Sequence, residues 1–98
     1  MHHRADFAII LYMENQIKTL QSLLQQDPSN FQARRELAII LAENGFNEEA
    51  LSNLRYLEKY FPDDAELQYN LGILYEKTRD PEQARIAYEK AIEIFEAI

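Results

Sequence analysis

The same residue types return every 34 positions along this chain. Leu37 and Leu71 are separated by that interval, as are Ala38 and Gly72, Ile39 and Ile73, Glu48 and Glu82, Ala50 and Ala84, Phe61 and Phe95, and Pro28 and Pro62. Leu20, Leu54 and Tyr88 form one series at this spacing, and Leu23, Leu57 and Ala91 form another, so a third, incomplete copy lies upstream. A unit this short cannot bury its own apolar face. It is stabilised only by stacking on the next copy, which restricts the chain to an array of nearest neighbours.

Each copy reads as two helices. In the first full copy Asn30 is suited to an N-cap, its side chain accepting from the first free N–H groups. A helix over 31–44 follows, with Leu37, Ile40 and Leu41 on one face. Gly45 ends it by supplying left-handed backbone. Asn47 is expected to cap the next helix, with Glu48 and Glu49 in its first turn, where the helix dipole favours negative charge. That helix carries Ala50, Leu51, Leu54, Leu57 and Tyr60 and stops before Pro62. In the second copy Asp64 caps a helix to about residue 78, with Leu67, Leu71, Leu74 and Tyr75 on its inner face. Asp80-Pro81-Glu82 restarts the chain with an acidic cap and proline at the first helical position, where its missing N–H costs nothing. The last helix runs on through Ala84, Tyr88, Ala91, Ile92 and Phe95. Tyr75 and Tyr88 read as core, and Tyr56 as outward-facing.

Residues 5–26 read as one long helix with Ile9, Met13, Ile17, Leu20 and Leu24 on a stripe. Asn15 offers an alternative break, capping a shorter helix. Phe7–Met13 as a strand is disfavoured, because nothing else in the chain supplies a pairing partner. Two glycines and three prolines in 98 residues are too few turns for an all-β fold. The expected architecture is all-α: one helical-repeat domain over 1–98, comprising an N-terminal part (5–26) and two repeats (31–64 and 65–98).

These spacings resemble the tetratricopeptide repeat, whose period is 34 residues. Leu71-Gly72, Tyr75, Ala84, Tyr88 and Ala91 fall where that family places its leucine, small residue, aromatic, alanine, aromatic and alanine. The stretch 31–64 is similar through Leu37-Ala38, Gly45, Ala50, Leu54 and Pro62, and residues 14–28 look like the second helix of a preceding repeat. Small residues at 38, 50, 72 and 84 let paired helices approach, and Leu54 and Tyr88 fill the space between neighbours. The chain departs from the pattern at Arg34 and Gln68, where the family often has tryptophan, at Glu96, where a third proline is expected, and at Gln16, which replaces the upstream alanine. The resemblance implies a short right-handed solenoid of about five antiparallel helices that acts as a protein-interaction scaffold.

In such arrays the first helices of successive repeats line a concave groove. Carried over by position, the groove here is Gln32, Arg35, Ile39, Ala42 and Glu43, then Glu66, Tyr69, Asn70, Ile73, Glu76 and Lys77. Arg35 and Asn70 could hold a peptide carboxylate or backbone through fixed donors. The favoured reading is plainer, with Arg35 a solvated helix residue and Asn70 a common filler. Some family members clamp the acidic tail of a chaperone. This chain resembles that clamp only at Arg35 and Asn70 and has Ile39 where an asparagine is expected, so chaperone-tail binding is not anticipated.

A formal charge of −7 with scattered basic residues argues against a nucleic-acid partner, whose affinity rests on clustered Lys and Arg. The chain has no cysteine, which excludes thiolate chemistry. The only histidines, His2 and His3, make an incomplete metal site. No glycine-rich phosphate loop and no set of nucleophile, base and orienting residue is present. The carboxylates fall on helix faces and caps, where solvation accounts for them. No enzyme activity, metal or cofactor is expected, and no apolar run approaches the ~18 residues of a membrane span. The default setting is cytoplasmic.

Both ends carry surplus apolar residues: Phe7, Ile9, Ile10, Leu11, Tyr12 and Met13 at one, and Ala91, Ile92, Ile94, Phe95 and Ile98 at the other. Such patches mark partners. The expectation is a two-fold homodimer through Phe7, Ile10, Leu11, Ile94, Phe95 and Ile98. The alternatives are head-to-tail stacking and a place within a longer repeat protein. The functional readings are therefore an adaptor that binds a peptide or protein segment in its groove, or a self-assembly module.

Overall fold

The computed structural model describes residues 3–97, with side-chain environments from Asp6 onward. Met1, His2 and Ile98, and the side chain of His3, lie outside the described residues, and with them the histidine pair and one expected interface residue. Five helices follow one another: α1 (His3–Gln26), α2 (Phe31–Glu43), α3 (Asn47–Glu58), α4 (Ala65–Lys77) and α5 (Pro81–Glu96). Each packs chiefly on its neighbours in sequence. The core is a single leucine-rich seam through Leu20, Leu37, Leu41, Leu51, Leu54, Leu57, Leu67, Leu71 and Leu74. Burying each leucine contributes on the order of 2 kcal/mol.

The turns repeat as faithfully as the core. After α2, Phe46 N–H donates to the Leu41 carbonyl and Gly45 N–H to that of Ala42; after α4, Asp80 N–H donates to Tyr75 and Arg79 N–H to Glu76. These are two copies of one Schellman closure. Both require left-handed backbone, which Gly45 adopts at φ +83° and Arg79 at φ +64°. The inter-repeat turns also match. Asn30 Oδ1 accepts from Ala33 N–H and Asp64 Oδ1 from Leu67 N–H, capping α2 and α4 as their sequence position implies.

Several expectations are corrected. α3 is not capped by Asn47. The Schellman closure spends Phe46 as the last turn residue, so α3 starts at Asn47 with Phe46 at the N-cap and no side-chain cap bond. Asn47 Oδ1 is left buried without a partner. Tyr60 does not face inward: α3 ends at Glu58, and Tyr60 lies beyond it, exposed and packed against the rings of Phe31 and Tyr56 at 4.9 and 5.4 Å. Tyr56 is half-buried rather than free, with the Arg34 guanidinium 3.8 Å from its ring centroid. α2 and α4 each end one residue before the expected limit.

α1 has no break at Asn15, whose carbonyl accepts from Thr19 Oγ1 one turn on. The reason lies four residues earlier. One repeat upstream of Gly45 and two upstream of Arg79 stands Leu11, which does not take left-handed backbone readily. The helix therefore runs straight through. Its contacts with the core come from Ile17, Leu20 and Leu24, and the preceding turns project beyond α2. The radius of gyration, 15.2 Å, exceeds the ~13 Å of a compact chain this long.

Arg79 carries a strain that Gly45 does not. Arg79→Gly should raise stability by several tenths to about 1 kcal/mol, since left-handed backbone costs a non-glycine residue ~1–2 kcal/mol and glycine gives part of that back through its freer unfolded chain. Urea denaturation checks this. The midpoint should rise with the slope unchanged.

Candidate functional site

The two repeats meet along α2, α3 and α4, and a cleft of ≈240 Å³ opens there. Its floor is Ala38, Ala42, Leu54, Ile73 and Leu74, with Ile39, Glu43, Asn70 and Lys77 around them. Helical spacing explains the arrangement. Ile39 and Glu43 are one turn apart on α2, and Asn70, Ile73 and Lys77 recur on one face of α4. Ile39 is 49% exposed, so the cleft presents apolar surface to its surroundings between an anionic and a cationic rim.

The structure divides the groove residues expected from sequence. Ile39, Ala42, Glu43, Asn70, Ile73 and Lys77 share the cleft. Arg35 is engaged elsewhere: its Nη2 lies 2.7 Å from Asp64 Oδ2, with both side chains about one-third exposed. Its guanidinium also sits 5.2 Å from the Phe61 ring centroid. Since the other oxygen of Asp64 caps α4, Arg35 anchors the start of the next repeat. Gln32 donates to Glu36 on the helix surface. Glu66 and Tyr69 line a separate hollow with Ala91, Ile92 and Phe95 at the far end of the array. Glu76 accepts a hydrogen bond from the Tyr88 hydroxyl. Sequence reasoning missed the cleft floor, because Ala38, Leu54 and Leu74 carry the signature of core packing. These three are buried, and the apolar surface that the cleft leaves open comes from Ile39, Ala42 and Ile73.

Close approach behind the cleft depends on Gly72. A Cβ there would lie 2.5 Å from the Tyr88 ring. The first repeat has Ala38 and Leu54 at the equivalent positions, so a smaller partner allows the extra methyl. The two positions that depart from the tryptophan pattern also share one job. Arg34 donates to the Pro28 carbonyl and Gln68 to that of Pro62. Arg34 further bonds Asn53 and buried Gln68 bonds Glu58. Each ties its helix to the proline turn before it.

Of the candidate interface residues, Phe7, Ile10, Leu11 and Phe95 are exposed, Phe95 most of all at 73%. Ile94 turns largely inward and is half-buried, whereas Ile92, part of the apolar surplus but not one of the six contact residues, is exposed. Among the described residues no group of three or more His, Cys, Asp or Glu could hold a metal ion. No described helix is long and apolar enough to cross a membrane.

Stacked helix pairs with an open cleft between their first helices define a helical-repeat scaffold for protein–protein interaction. The sequence profile of the tetratricopeptide repeat matches residues 36–97, and the chain belongs to that family. Among solved structures it is similar to MamA AMB-1, with a TM-score of 0.82 and 21% identity over 94% of this chain and 50% of that one. It is also similar to MamA MSR-1, with a TM-score of 0.75 and 22% identity over 90% and 53%. A third is YrrB, described as a TPR protein with an unusual peptide-binding site, with a TM-score of 0.75 and 26% identity over 89% and 45%. The chain spans about half the length of these structures. No curated protein matches it.

Two predictions follow the packing at Gly72. Gly72→Ala should destabilise by about 1 kcal/mol, overpacking outweighing the better helix propensity. Adding Tyr88→Leu, which restores the pair of the first repeat, should recover most of the loss on urea denaturation. Burial and the bond to Glu76 push the Tyr88 phenol up to about 12. The folded state therefore holds a proton that the unfolded chain releases near its ordinary value, about 10. Stability should be unaffected below that pH and fall between about pH 10 and 12. Circular dichroism should show this alkaline loss reduced in Tyr88→Phe.

Proposed function

We propose that the cleft between α2 and α4 receives a segment of another protein, seating one or two apolar side chains against Ile39, Ala42 and Ile73. The observation that carries this reading is an open apolar floor bounded by Glu43 on one helix and Lys77 on the other. A buried apolar anchor supplies affinity, and the two rim charges orient the segment. Asn70 offers both an amide donor and a carbonyl acceptor to a passing backbone. The description of YrrB as having a peptide-binding site supports a peptide as the ligand class. With Arg35 held by Asp64, an acidic tail finds only Lys77, and the overall charge of −7 favours a neutral or basic segment.

A homodimer is the second reading, favoured by the exposed apolar residues at the array's ends. The two readings use different surfaces and are compatible.

Peptides selected from a random library against the chain test the cleft. Ile73→Asp should weaken the selected peptides at least tenfold by calorimetry, and Lys77→Glu should reverse their charge preference. Ile86→Asp, an exposed position on α5, should leave binding intact. Equal loss in all three variants, or no loss in Ile73→Asp, would rule the cleft out.

A further inference from the structure

We propose that the N-terminal half of α1 is a displaced repeat helix that packs into a second copy of this chain, in a reciprocal two-fold exchange. This rests on the homodimer reading and specifies its interface.

The repeat register identifies the segment. Phe7 and Ala8 stand one repeat upstream of Leu41 and Ala42, near the end of a first helix. Both complete repeats turn back after that point through a left-handed residue at 45 or 79. Leu11 holds the corresponding position and the helix continues, so the segment points away from the place it would otherwise fill. The result is a helix with Phe7, Ile9, Ile10, Leu11 and Tyr12 all between 44% and 66% exposed. At 100° per residue these five side chains reach every side of the helix. A helix apolar all round is stable only when buried on more than one side.

The berth that the segment leaves is also visible. A hollow of ≈370 Å³ runs along α1 and α2, lined by Tyr12, Asn15, Gln16, Thr19, Leu20, Glu36 and Ile40. Leu20, at its inner edge, is already buried, but Gln16 is only partly covered, whereas its equivalent one repeat on, Ala50, is buried to 0% exposure. There α2, a first helix, covers it. The hollow is thus shaped for a first-type helix, walled by α1 on one side and α2 on the other.

A second copy meets these demands together. First and second helices of a repeat run antiparallel, being joined by three-residue turns. A two-fold axis perpendicular to α1 makes the overhang of one protomer antiparallel to α1 of its partner. Each overhang then enters the other's hollow and is covered from two sides. Covering five large apolar side chains and a berth in each copy removes on the order of 1,000 Å² from water, the scale of a specific interface. Exchange of a like element is a ready route to a closed dimer.

The register also names the contact to test. Gly72 lies against Tyr88, so in this antiparallel pair Glu76 stands level with Ala84. The positions two repeats upstream of these are Ala8 and Gln16. Ala8→Cys with Gln16→Cys in the intact chain, which has no cysteine of its own, places two thiols on one continuous helix. They lie about 12 Å apart along its axis, beyond the ~7 Å that a disulfide spans, so a disulfide between them must join two copies.

We expect the unaltered chain to scatter light as twice 11.6 kDa. Mild oxidation of the double-cysteine variant should give a covalent dimer, and neither single-cysteine variant should do so. Phe7→Glu, at an exposed site that leaves the core untouched, should give a monomer with unchanged helical circular dichroism. Phe95→Glu should remain dimeric. A monomer at all concentrations would overturn the homodimer reading altogether. A dimer that forms no disulfide, survives Phe7→Glu or is lost in Phe95→Glu would overturn the exchange alone. Peptide binding in the cleft is read separately and stands or falls without either.

Discussion

Within each complete repeat, the first helix turns back into the second through a residue that accepts left-handed backbone. Gly45 does so freely and Arg79 under strain, and each closure sets the following helix antiparallel against the one before. These two hairpins create the repeats whose stacking buries the leucine seam. At Leu11 the same constraint acts by its failure. No turn forms, α1 stays a single helix, and its first turns are left without a neighbour in their own chain.

The two repeats solve one packing problem with different pairs. The second uses glycine against tyrosine, and the first has alanine and leucine in those places. The tyrosine gains a hydroxyl that reaches Glu76, which fastens α5 to the far end of α4. The caps differ in the same way. α5 starts with Asp80, whose carboxylate accepts from Gln83 N–H, and Pro81. α3 starts with Phe46 and an Asn47 whose side-chain carbonyl is unpaired. The first hairpin thus has the relaxed turn and the poor cap, and the second the strained turn and the good cap. Between the repeats, Arg35 and Asp64 join helix capping to inter-repeat docking in one ion pair. That pair takes from the groove the cation best suited to hold an acidic ligand and leaves the cleft apolar with Lys77 at its rim.

Much of this was legible in the chain. Alternation of large and small residues at a fixed interval, together with Asn30, Asp64, Gly45 and Asp80-Pro81, located every helix to within a few residues. The structure brings half of the candidate groove, Ile39, Glu43, Asn70, Ile73 and Lys77, around one cleft, because positions on one helix face stay together however the helices pack. It sets the other half elsewhere. Whether Arg35, Gln32 or Glu76 faces open space depends on which partner side chain comes within reach, and those partners, Asp64, Glu36 and Tyr88, are set by sequence neighbours in one case and by the neighbouring helix in the others. Tyr60 and Asn47 were misjudged because a shift of one or two residues at a helix end rotates a side chain by a hundred degrees or more.

The sequence by itself determined the period, the helix pairs, the residues small enough for close approach and the apolar surplus at the ends. All of these follow from local backbone preference and from spacing along one helix. The tertiary structure decided the depth of the cleft, the capture of Arg35 by Asp64, the clash that keeps residue 72 a glycine and the direction in which α1 projects. Each of these depends on the distance between two helices, which no single helix specifies and which only the packing of side chains from both can fix.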